Sequence, residues 1–148
     1  MKHTLTRIIL IVVAAGIGLF LLIQFVPYGH DHSNPPVESE PNWDSPTTRE
    51  LAQTACFDCH SNETVWPWYT NIAPVSWLIQ HDVEEGRQYL NFSTWNSGGK
   101  GREPDEAIEV ISRDQMPPAQ YFIMHPDARL TQSEKQALMQ GLQATIFR

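Results

Sequence analysis

A chain of 148 residues with a net charge of −7 and two cysteines has room for one membrane segment and one small domain, and little more. Its acidity argues against nucleic acid or an anionic surface as the partner of the polar part. Two cysteines cannot build a disulfide-stapled fold or a four-thiolate zinc site.

The first element is an apolar run over residues 8–26, free of charge and with Gln24 as its clearly polar member. Nineteen helical residues reach about 28 Å, close to the hydrocarbon thickness of a bilayer. Lys2 and Arg7 precede the run, and no Lys or Arg follows it until Arg49, so the N-terminus is expected in the cytoplasm. A cleaved signal peptide would carry an apolar core of about 7–15 residues followed by an A-x-A-like site. The run instead leaves through Phe25-Val26-Pro27-Tyr28-Gly29-His30. The expected layout is a transmembrane anchor over 1–26, a flexible linker over 27–46 and an exported domain over 47–148. With Lys2 and Arg7 set aside, 8 basic residues face 17 acidic ones beyond the anchor, a net charge of −9 that suits a partner with a basic docking surface.

The linker carries five prolines and the acidic residues Asp31, Glu38, Glu40 and Asp44, and should be extended and poorly packed. His30-Asp31-His32 reads as part of that solvated stretch rather than as a metal site. Trp43 should mark first contact with the domain. A helix is then expected from Thr47, whose spacing to Glu50 has the form of a capping box. It would carry Leu51, Ala52, Ala55 and Cys56 toward the core.

That helix ends in Cys56-Phe57-Asp58-Cys59-His60, a C-x-x-C-H pentapeptide of the kind that attaches c-type haem. Two thiols at this spacing reach the two vinyl groups on one porphyrin edge, and the next residue offers its imidazole to the iron. A thioredoxin-like pair would want a βαβ setting. A disulfide across two residues would constrain little of the unfolded chain. Both thiols and His60 are therefore expected to hold one haem c. Its attachment in bacteria takes place outside the inner membrane, so the domain is expected in the periplasm.

Thr64-Val65-Trp66-Pro67-Trp68-Tyr69 reads as an aromatic loop, because Pro67 forbids regular helix. Such a loop can pack the core or wall the porphyrin. A second helix over 73–90 shows a stripe of Val75, Leu78, Ile79, Val83, Gly86 and Leu90, with Pro74 in its first turn. Gly86 in that stripe implies a close approach of haem or another helix. The following loop, with Ser97-Gly98-Gly99-Lys100-Gly101, lacks the spacing of a phosphate loop. Arg87, Lys100 and Arg102 are scarce cations there, candidates to pair haem propionates.

A short helix fits 104–113, with Glu103, Asp105 and Glu106 at its N-terminus and Ile108 and Ile111 inward. Met116 then precedes Pro117-Pro118, which pushes it out of helical conformation into a stiff loop and suits a thioether held over iron. Met124, His81 and His125 remain alternative sixth ligands. Met139 lies among Leu138, Leu142 and Ile146 on a last helix and reads as core filler. That helix should start at Thr131, whose spacing to Glu134 forms a capping box, and should pack across the first helix of the domain.

The order of elements resembles that of class I cytochromes c. Cys56-Phe57-Asp58-Cys59-His60-Ser61, Trp66-Pro67-Trp68-Tyr69, Pro74-Val75-Ser76-Trp77-Leu78, Gly86-Arg87, Leu90-Asn91-Phe92-Ser93-x-Trp95 and Met116-Pro117-Pro118-x-x-Tyr121 together resemble the small membrane-anchored haem-binding domain family of bacterial c-type cytochromes. The resemblance covers about residues 43–146. It implies an all-α domain around one haem, with His60 and Met116 as axial ligands. An aromatic residue would be expected late in the last helix, where Gln140-Gly141-Leu142 stands.

The function expected is single-electron transfer at the outer face of the inner membrane, with no catalytic residue of its own. A haem-based redox or gas sensor with a displaceable sixth ligand is the alternative. A peroxidase-like enzyme would need a distal acid–base group from His81 or His125.

Overall fold

The computed structural model describes residues 2–101 and 104–147. It is all-α. Among the described residues, six helices and four short 3-10 turns make up the regular structure, and a single parallel bridge, Ser39 to Thr94, is the extent of β pairing. The chain divides into two compact units, one of Met1–His32 with Trp66–His81, the other of Ser33–Val65 with Asp82–Arg148.

The first unit holds α1 (Lys2–Ile23), of which His3–Ile23 is long and apolar enough to cross a membrane, with none of that stretch buried by protein. The chain leaves α1 through a turn in which the N–H groups of Gln24, Phe25 and Val26 donate to the carbonyls of Leu21, Leu22 and Ile23. Its partner segment contains a 3-10 turn at Trp68–Asn71 and the N-terminal half of α4 (Val75–Tyr89). The amide of Gln24 grips Ala73 from both sides, donating to its carbonyl at 3.0 Å and accepting from its N–H at 3.0 Å. Gly29, at φ +88°, lies against Ser76, where an added Cβ would stand 2.7 Å from the Ser76 carbonyl carbon. His32 stacks on Trp66 at 4.6 Å with its Nε2 3.1 Å from the Thr70 carbonyl. Residues 24–32 thus carry contacts that a solvated linker would lack.

The second unit begins with an extended segment that is hydrogen-bonded rather than loose. Glu38 and Ser39 N–H donate to the Ser93 carbonyl at 2.9 and 3.0 Å, and Asn62 Nδ2 donates to that of Pro36. Next comes α2 (Pro46–Ala55). Its cap is Ser45, whose Oγ accepts from Thr48 N–H at 3.2 Å, not the Thr47–Glu50 box expected from spacing. Pro46 at the first helical position explains the shift, since its missing N–H is one the helix would leave unpaired anyway. The last helix, α6 (Gln132–Ile146), starts where the sequence placed it: Thr131 and Glu134 form a reciprocal capping box. It crosses α2 as expected, and closely. A Cβ on Gly141 would collide with the Thr48 side chain, so an aromatic residue is absent here because the helices touch.

Between them lies the core of Ala52, Phe57, Phe92, Trp95, Ile111, Leu138, Leu142 and Ile146. Phe92 stacks on Phe57 and Trp95 with centroids 5.5 and 5.8 Å apart, and Trp43 tilts onto it at 5.1 Å. Leu138 and Leu142 are fully buried, each worth roughly 1.5–3 kcal/mol of apolar transfer. Met139 packs at the edge of this core. The short helix α5 (Glu106–Ser112) buries Ile111 and lies against α6.

Candidate functional site

The C-x-x-C-H segment is shaped by a break and one helical turn. Cys56 N–H closes α2 on Ala52 O at 2.8 Å, but its φ of −129° ends that helix and starts α3 (Phe57–His60). Cys59 and His60 N–H then both donate to the Cys56 carbonyl, at 3.2 and 2.8 Å. Phe57 is driven into the core, which holds the turn by its apolar side chain. A spacing of three across one turn sets the two sulfurs on one side. Both are free thiols. Burial pushes Cys56 up to about 12. Burial, then the carboxylates of Asp82 and Asp58, do the same for Cys59. Both therefore remain protonated near neutrality.

His60 is the most constrained side chain of the segment. Its Nδ1 lies 3.0 Å from Gly86 O and 3.1 Å from Leu90 O. Carbonyls only accept, so Nδ1 carries the proton and donates, and the lone pair is left on Nε2. Burial holds the imidazole below its ordinary pKa, opposed in part by these two bonds, and so favours the neutral, ligating form. Gly86 is needed for the approach. A Cβ there would meet the Cys59 carbonyl carbon and Cβ at 2.9 Å each. The close approach expected of Gly86 is to the pentapeptide itself. Arg87, next along α4, braces the exit from the motif: Nε donates to Ser61 O at 2.8 Å and one terminal nitrogen to Thr64 Oγ1 and Asn34 Oδ1.

The middle of the motif does a job that sequence reasoning missed. Asp58 Oδ1 accepts from Val65 N–H at 2.9 Å, and Oδ2 accepts from the Tyr121 hydroxyl at 2.6 Å, 63 residues away. His125 stacks on Tyr121 at 4.1 Å and places Nδ1 3.8 Å from the same Oδ2. Burial and the Asp58 bond raise the Tyr121 pKa, so the phenol stays a donor. The Met-Pro-Pro-x-x-Tyr segment is thereby fastened to the residue before Cys59. The aspartate inside the pentapeptide and the tyrosine closing the second motif were the signals available, but nothing in spacing alone pairs them.

Met116 begins that segment. Asp114, at φ +56°, turns the chain out of α5, and Gln115 and Met116 N–H both donate to Val110 O, at 2.9 and 3.3 Å. Lys135 of α6 forms an ion pair with Asp114. The Met116 side chain is 41% exposed, in the loop setting expected of it, and Met124 is 54% exposed. His81 is exposed on α4. Lys100 donates to Ile146 O at 2.9 Å and closes the end of α6. Arg102 lies outside the described residues.

The donor set fits haem: two thiols one turn apart, and an imidazole whose Nδ1–H is committed to two carbonyls so that the lone pair stays on Nε2. The exposed apolar side chains of Val65, Met116, Ile123 and Met124, on segments fastened to Asp58, suit a face covered by a large apolar group. No curated protein and no solved structure matches the chain. The family model described as a haem-binding domain matches residues 18–144, across the pentapeptide, His60 with its carbonyl partners and the Met116–Tyr121 segment, and the chain belongs to that family.

Proposed function

We propose that the chain is a membrane-anchored, mono-haem c-type cytochrome that passes single electrons in the periplasm. The observation that carries this reading is the fixed tautomer of His60, with Nδ1–H held by Gly86 and Leu90 carbonyls directly after two adjacent free thiols. Such an imidazole would suit an iron ligand, because its orientation is set by bonds from its other ring nitrogen. Cys56 and Cys59 would hold the haem through two thioether links, and His60 Nε2 and the Met116 thioether would bind its iron. A bound haem supplies reversible ferric–ferrous exchange, and methionine ligation raises its potential. The chain's own part is to hold the imidazole neutral, to keep the Met116 segment close through Tyr121 and Asp58, and to present an acidic surface. That surface favours redox partners with a basic docking face. With α1 in the inner membrane, the haem unit stays near membrane-bound donors and acceptors. Asp58, Tyr121 and His125 engage one another, which favours a carrier over peroxide chemistry that would need a free distal acid–base group.

The test is the ferric optical spectrum of the full chain, wild type beside Met116→Ala. A weak far-red iron–sulfur charge-transfer band, present in wild type and lost in the variant, is expected. A high-spin wild-type spectrum would mean an open sixth position and would turn the reading toward ligand sensing.

A further inference from the structure

We infer that residues 66–81 lie in the phospholipid interface of the bilayer that α1 crosses, fastened there by Gln24. The inference rests on the reading of α1 as a membrane span and adds a second contact of the chain with lipid.

Three observations carry it. The first is attachment. Gln24 follows directly on the last residue of α1, at the level where a span reaches the headgroups, and its amide makes two bonds to the backbone of Ala73. Gly29 against Ser76 and His32 on Trp66 and Thr70 repeat the tie over the next residues. The segment is therefore mounted on the foot of the span. The second is charge. The chain has 17 acidic and 10 basic residues, yet residues 66–81 contain none of either. An acidic segment would be repelled by anionic headgroups and a charged one would resist burial among them, and this stretch has neither obstacle. The third is composition and exposure. Three of the five tryptophans, Trp66, Trp68 and Trp77, fall here beside Tyr69. Indole and phenol rings favour the membrane–water boundary because one end is apolar and the other hydrogen-bonds. Trp68 is 73% exposed, and Val75 and Leu78 are exposed with it. In water these would be a liability. In the upper acyl region they are stabilising, and Phe25, 85% exposed just past α1, belongs to the same layer.

The experiment is site-specific photocrosslinking in the haem-loaded full chain in native membranes. A benzophenone amino acid replaces Trp68, Leu78 or, as a reference inside the span, Val13, and adducts are identified by mass. Phospholipid adducts are expected at all three positions. Gln24→Ala should cut the yield at position 68 several-fold while leaving position 13 unchanged. A lipid adduct at 13 with none at 68 and 78, or adducts at 68 to protein or haem in place of lipid, would overturn the inference and leave the anchor standing. No lipid adduct at 13 would overturn the anchor and the inference together. An unchanged yield at 68 in Gln24→Ala would overturn the fastening.

Discussion

Replacing Gly86 by alanine separates two opposed effects whose sizes can be set against each other. Inside a helix, Gly→Ala gains about 0.8–1 kcal/mol of propensity. At this position the new Cβ would stand 2.9 Å from the carbonyl carbon and Cβ of Cys59, so backbone rather than a flexible side chain must yield. Overpacking of that kind costs about 1–3 kcal/mol, and a rigid neighbour puts it at the upper end. Moving Gly86 away from α3 also stretches the His60 Nδ1 bond to Gly86 O, worth about 0.5–1.5 kcal/mol, though Leu90 O remains as a second acceptor. The balance is a loss of about 2 kcal/mol. With a guanidinium slope of roughly 4 kcal/mol/M for a domain of this size, the unfolding midpoint of the full chain in detergent should fall by about 0.5 M, and haem loading should fall with it. A midpoint equal to or above wild type would show that propensity wins, and the tight seat of Cys59 on α4 would be refuted.

Tyr121→Phe removes the donor to Asp58 at a distance in the charge-assisted range, and should cost about 1–2 kcal/mol in denaturant unfolding and weaken the far-red band of the ferric spectrum; a variant identical to wild type in both would sink the idea that this bond holds the Met116 segment. Glu40 takes two bonds from Arg49 and one from the Trp43 indole, and the Arg49 bonds lead in lowering its pKa below the usual 4.5. A depressed folded pKa means the unfolded chain binds the proton more tightly, so this stabilisation is present above about pH 4.5 and fades as pH falls through the folded value. In Glu40→Gln the acid limb of a stability–pH curve below about pH 4.5 should be shallower, and an unchanged limb would assign that loss to other carboxylates.

Haem binding was legible because the signal for it is local. Cys56, Cys59 and His60 sit within one turn, and the chemistry of each follows from its type and spacing. The last helix was legible for the same reason, since the Thr131–Glu134 box lies within four residues. The cap of α2 was misplaced by two residues because two cap signals overlap, and Pro46 decides for Ser45. Longer links were not legible. Gly86 announced a close approach without naming Cys59, and Asp58 gave no hint of Tyr121. Prolines and acidic residues suggested a loose linker, yet its polar side chains and backbone find partners, as at Arg49–Glu40 and Ser93. Composition reports what a segment can do in isolation. It does not report which carbonyls of the folded chain await a donor.

Those long links explain how so short a motif is held in one conformation. Five residues supply two thiols and an imidazole, but a single turn of helix has little stability of its own. Each part of α3 is instead held from a distance: Phe57 by Phe92 and the core, Asp58 by Val65 and Tyr121, Cys59 by the close seat of Gly86, His60 by the carbonyls of Gly86 and Leu90. One element, the C-terminal half of α4, serves two of these tasks, since Gly86 admits α3 and offers its carbonyl to His60, and Arg87 next to it holds the Ser61 carbonyl just past α3. The imidazole is thus oriented by the protein before any cofactor contributes, which lowers the reorganisation that binding a haem would otherwise require. The Met116–Tyr121 segment is tied to the same turn through Tyr121, so α3 and that segment share one anchor in Asp58.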